Sequence, residues 1–103
     1  MSVCIDFADG KGGRLEGDQV ATNTGWLEFG KWVDSLPTEE RYRHIICLWE
    51  YGYEYAVKKL GRQLERAIAE TKAPKNVGSV AEGIVHLIKQ HPKSGGIFVD
   101  NDS

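Results

Sequence analysis

Apolar residues recur every three or four positions through the middle of the chain: Tyr42, Ile45, Ile46, Trp49, Tyr53, Ala56, Val57, Leu60, Leu64 and Ala67. At 100° per residue they fall in one stripe, the pattern of a helix with one face on a core. Thr38 is placed to cap it through its hydroxyl, with Pro37 before it and Glu39 and Glu40 at the positive helix end. Ala73-Pro74 stops it, because a residue preceding proline avoids the helical region. The pattern therefore predicts a central helix from Thr38 to Lys72. Such a helix of about 35 residues would be about 50 Å long, whereas a compact 100-residue domain has a radius of gyration of about 13 Å. Two outcomes resolve the mismatch. The run breaks, at Gly52 or Gly61, or a second copy of the chain covers the overhang.

On either side the period changes. Val3, Ile5 and Phe7 alternate with Cys4, Asp6 and Ala8, as in a strand with one buried face. Asp9-Gly10-Lys11-Gly12-Gly13 reads as a hairpin connection, and Arg14 to Ala21 as the returning strand, with Gly17 marking a bulge. Trp26, Phe29, Gly30, Val33 and Leu36 then step as a short helix, capped by Asn23 or Thr24. Ser79 and Glu82 match a capping box opening a third helix that His91-Pro92 ends. Ile97-Phe98-Val99 reads as a last strand. A two-stranded hairpin is marginal alone, so this strand is expected to join it. The expectation is one α+β domain over residues 1–103, mostly helical, with three helices on a three-stranded sheet in the order β-β-α-α-α-β. Its parts are a hairpin at 1–21, a helical pair at 22–73, a third helix at 79–91 and a strand at 96–100.

Charge alters this picture little. The net charge is −2, without the basic excess that marks general nucleic-acid binders. The charge is uneven: residues 38–76 hold eight basic and six acidic groups, between two net-acidic flanks. The chain lacks a signal-peptide pattern and an apolar run of about 20 residues, so a cytoplasmic protein with Cys4 and Cys47 reduced is expected.

No cofactor or metal motif is found. The glycine-rich turn lacks the spacing of a phosphate loop. His44, His86 and His91 form no ligand pair, and a zinc site would need scattered residues such as Cys4, Cys47 and Asp100. Cys47 and His44 lie one turn apart, which would suit a thiol nucleophile and its base, but no third group or oxyanion donor accompanies them. The remaining candidate is the other side of the central helix, where Leu48, Tyr51 and Tyr55 are followed by Lys58, Lys59, Arg62 and Arg66. These residues either lie covered by the rest of the fold, or form a protein interface, where Tyr and Arg are enriched. They also suit an aromatic and cationic strip for single-stranded nucleic acid or another anionic ligand. The reading carried forward is a non-enzymatic, inhibitor-like or regulatory domain that binds a protein partner and self-associates, without membrane contact. Nucleic-acid binding and a small enzyme using Cys47 and His44 are the alternatives.

Overall fold

The computed structural model describes residues 2–102. Among them lie five strands and four α-helices: β1 (Ser2–Ala8), β2 (Arg14–Leu15), β3 (Gln19–Thr22), α1 (Asn23–Asp34), α2 (Arg43–Tyr51), β4 (Tyr53–Glu54), α3 (Val57–Thr71), α4 (Lys75–Gln90) and β5 (Ile97–Asp102). The sheet is antiparallel, in the order β2-β1-β5-β4. β3 also pairs with β1, beside its first half, so β2 and β3 form one interrupted strand. The α+β class and the hairpin are as expected. The sequence reading had one helix and two strands fewer.

The hairpin follows from its residues. Asp9 Oδ1 accepts from the backbone N–H groups of Lys11 (2.7 Å) and Gly13 (3.0 Å). Gly10 and Gly12 supply the positive φ the turn needs. The interruption falls at Gly17, where a Cβ would sit 1.3 Å from the carbonyl oxygen of Ile5. Two backbones approach there as only glycine permits, and the register slips between Val3 and Cys4. Asp6, nearly buried, is satisfied by the Gly17 N–H at 3.1 Å.

Val3, Ile5, Phe7 and Ile97 are fully buried on the inner sheet face, beneath the helices. α1 begins one or two residues earlier than expected, because Thr22, not Asn23 or Thr24, is the cap: its hydroxyl accepts from Gly25 N–H at 3.1 Å. Trp26 and Phe29 stack at 5.1 Å, and Trp49 of α2 lies 5.4 Å from Trp26. Gly30 makes room for that ring, since a Cβ there would lie 2.1 Å from Trp49.

The long central helix does not form. Thr38 caps nothing; a 3-10 turn at Glu40–Tyr42 precedes α2. α2 ends at Gly52, which takes φ +76° and donates its N–H to the Leu48 carbonyl at 2.9 Å. The chain then crosses the sheet edge as β4 and restarts as α3. Of the two glycines, Gly52 is therefore the break. Gly61 lies inside α3, buried, and a Cβ there would meet the methyls of Ile88 at 3.6 Å. The molecule measures 37 × 30 × 21 Å, with a radius of gyration of 12.5 Å. No overhang remains to require a second copy.

The third helix is also corrected. It starts at Lys75, not Ser79, and Pro74 holds the cap position with φ −55°. Ser79 is four residues inside, where its hydroxyl donates to the Lys75 carbonyl at 3.1 Å. Burial of Val77 at 2% exposure explains the earlier start: the first turn packs, and that outweighs a surface capping box worth about 1 kcal/mol. α4 then packs against both α1 and α3, and its buried residues occupy about half of its circumference.

The two glycines make opposite predictions. Gly52→Ala forces a side chain into the left-handed region and is expected to destabilise by about 1–2 kcal/mol. Gly61→Ala meets ordinary contacts and gains helix propensity, so it should stabilise by about 0.5–1 kcal/mol. Urea denaturation of both variants measures the difference. A loss of stability in the Gly61 variant would contradict the packing described here.

Candidate functional site

Strand alternation decides what the sheet shows to solvent. Tyr53 pairs with Phe98, and Phe98 with Asp6, so all three point away from the helices. Tyr51 and Tyr55 flank β4 at either end. Tyr51, Tyr53 and Tyr55 are 65%, 43% and 64% exposed, large values for rings packed side by side. Tyr53 lies 6.3 Å from Tyr51 and 5.3 Å from Tyr55, and Tyr55 meets Phe98 edge-on at 6.5 Å. Arg14 of β2 closes the row, its guanidinium 4.1 Å above the Phe98 ring. Gly96 lets Tyr55 lie close, because a Cβ there would sit 3.3 Å from that ring. The result is a row of four aromatic rings and one cation across an open sheet face.

A polar anchor holds the row from beneath. Glu54, between two exposed tyrosines, points inward, and its side chain is 11% exposed. Its Oε2 lies 2.9 Å from His44 Nδ1, and its Oε1 accepts from Ala56 N–H at 3.0 Å. Gln63 of α3 accepts from the His44 backbone N–H at 2.9 Å and donates to the Glu40 carbonyl at 3.0 Å. Burial pushes the Glu54 carboxyl upward, but the bonds from Ala56 N–H, His44 and Tyr55 N–H outweigh it and hold it below the usual carboxylate range.

The sequence-derived candidates separate into three groups. Leu48 leaves the face altogether: it is 1% exposed, three residues after Ile45 on the buried side of α2. Tyr51 and Tyr55 belong to the aromatic row. Lys58, Lys59, Arg62 and Arg66 lie exposed on α3, and among the described residues none makes an ion pair or hydrogen bond. Tyr55, Lys58, Lys59 and Ser94 border one shallow depression of about 290 Å³, which joins the aromatic and basic parts. Tyr53, Phe98 and Arg14 were missed. The available signal was Tyr51-Gly52-Tyr53-Glu54-Tyr55, a period of two inside a run read with a period of 3.6.

The other candidates find ordinary roles. The Asp9 carboxylate occupies the turn N–H groups a phosphate would need. Burial, then the nearby Glu54, pushes the Cys47 thiol up despite Arg43, so the thiolate a nucleophile requires is disfavoured. His44 gives its Nδ1 to Glu54. Among the described residues no three His, Cys, Asp or Glu side chains are placed to hold a metal ion, and no helix is long and apolar enough to cross a membrane.

The Glu54 anchor predicts a pH dependence. A carboxyl held low in the fold contributes stability that is full above its unfolded value of about 4.3 and is lost as pH falls through the folded value. Glu54→Gln is expected to lower stability at pH 7 by about 2 kcal/mol and to flatten the decline below pH 4.3. Urea titrations from pH 7 to 3 read both effects; parallel curves for the two proteins would remove the anchor.

Comparison with protein-family models, curated proteins and solved structures finds no match to the chain.

Proposed function

We propose that this chain is a small protein-binding domain of the regulatory or inhibitor type, and that its contact surface is the row Tyr51, Tyr53, Tyr55 and Phe98 with Arg14. The observation that carries the reading is the exposure of three neighbouring tyrosines in and beside β4, on the side turned away from the buried sheet face. Tyrosine offers a large apolar area, a polar tip and little entropy to lose, which is why it dominates binding hot spots. Glu54 and Gly52 fix the backbone between the rings, so little ordering remains to oppose association.

A second reading is favoured by one observation. Lys58 and Lys59 adjoin Tyr55 in the same depression and, with Arg62 and Arg66, make no ion pair among the described residues. Stacking rings beside a cationic track suit single-stranded nucleic acid.

The variant Tyr51→Ala with Tyr55→Ala separates the possibilities. Both rings are mostly exposed, so the double variant should retain its helical circular dichroism and urea midpoint. Affinity purification with crosslinking should recover a partner on the wild type and at least tenfold less on the variant. Unfolding of the variant would make the tyrosines structural and end the interface reading. Fluorescence anisotropy with mixed-sequence 12-mer DNA and RNA at 20 mM salt tests the second reading. Binding that falls steeply with salt and is abolished by Arg62→Glu with Arg66→Glu would replace the protein partner with nucleic acid; no binding removes it.

A further inference from the structure

Between α3 and α4 runs an open groove that the tyrosine row does not explain. Its floor is Gly61, Ile68, Val85 and Ile88, and it divides into two stretches of about 380 and 470 Å³. From Lys58 to Ala69 the α3 wall is about 16 Å long, three turns of a helix. Gly61 deepens the floor, since only Ile88 methyls lie within 4 Å of the missing Cβ.

The rim is asymmetric in charge, with Glu65 and Glu82 facing Lys89 and His86 along the second stretch and the cations unpaired among the described residues confined to the first. At one end Lys58, Arg62 and Lys89 surround the apolar floor, and Glu65 is their only acidic neighbour in that stretch. Glu65 is already engaged by Lys89 at 3.1 Å, across the groove. That bridge is solvent-exposed on both sides, 72% and 53%, so it contributes little and opens readily. Lys58 and Arg62, four residues apart on one helix flank, repel each other, and among the described residues neither makes an ion pair. An anion at this end would relieve that repulsion and would compete with Glu65 for Lys89.

We infer that the α3–α4 groove is a docking site for an acidic amphipathic helix of a partner protein. Its apolar stripe lies on Ile68, Val85 and Ile88, and its carboxylates face Lys58, Arg62 and Lys89. A helix fits better than an extended peptide. Both walls are helices whose backbone groups are already paired, so a strand would find no edge to join. The wall residues recur at steps of three and four on both helices, the spacing into which the ridge of a third helix packs. The length and openness of the groove suit a segment of three turns better than an enclosed small molecule. This site lies on the helical layer and does not rest on the tyrosine-row reading.

The test uses the full chain and two fluorescent 16-residue peptides. Both carry leucine at i, i+3, i+4 and i+7 positions; one has glutamate on its flanks and the other lysine. The glutamate peptide should bind with at least tenfold higher affinity than the lysine peptide, and it should shift amide resonances of Gly61, Ile68, Val85 and Ile88. Arg62→Glu with Lys89→Glu should weaken it at least tenfold. Ala69→Trp, at an exposed wall position, should block the groove without disturbing the fold. Tyr51→Ala with Tyr55→Ala should bind normally. The inference is overturned if neither peptide binds, if both bind alike, or if the groove variants bind as the wild type does. It is overturned as well if binding disappears only in the tyrosine variant, or if the 12-mer oligonucleotides shift the same four amides in place of the peptide.

Discussion

The left-handed conformation of Gly52 decides the shape of the rest. It is the one place where an otherwise continuous apolar run stops being a helix, and the cause is local: a positive φ that a side chain would resist. The reversal presents the Gly52 carbonyl to Val99 N–H at 2.7 Å, which sews the chain to the edge of the sheet. Two residues of strand follow before the helix resumes. Within that short passage the side-chain period changes from 3.6 to 2, so Tyr53 turns outward while Glu54 turns in. A continuous helix would have buried Tyr53 in the stripe with Trp49 and Ala56, and there would be no aromatic row.

Much of the fold was legible in the residues, and the failures share a cause. The hairpin, the bulge at Gly17, the closing strand and the pairing of that strand with the hairpin all rest on local rules: alternation, glycine at forced conformations, and too little sheet to stand alone. The misplaced starts of α2 and α4 come from weighting a surface cap above packing. Ser79 and Glu82 do spell a capping box, but Val77 is drawn into the core and carries the helix start with it. Leu48 was misread because a stripe extended across Gly52 averages two different phases. Once the break is placed, Leu48 falls naturally beside Ile45.

The candidate site was legible in type and not in extent. Tyr51 and Tyr55 are visible in sequence as an aromatic pair beside basic residues. Phe98 and Arg14 lie 37 or more positions from either, and only the pairing of β1 with β2 and β5, and of β5 with β4, brings them together. The basic residues also divide between surfaces: Lys59 joins the depression beside Tyr55, Arg62 the groove on the helical side, and Lys58 borders both. What looked like one face of one helix is two surfaces on different layers, aromatic on the sheet and cationic on the helices.

The pairing of β1 with β5 has a temporal side. β1 is an interior strand, flanked by β3, which follows it closely in the chain, and by β5, which follows about 75 residues after β3. At about 5–20 residues per second, synthesis of the stretch from Thr22 to Ile97 takes about 4–15 s. Throughout that interval the hairpin has one side unzipped, with Val3, Ile5 and Phe7 above a helical layer that is still accumulating. The nascent chain therefore carries a strand edge open to wrong partners, and β5 acts as the stopper. On the ribosome, the strand that begins the sheet is not safe until β5 has been made.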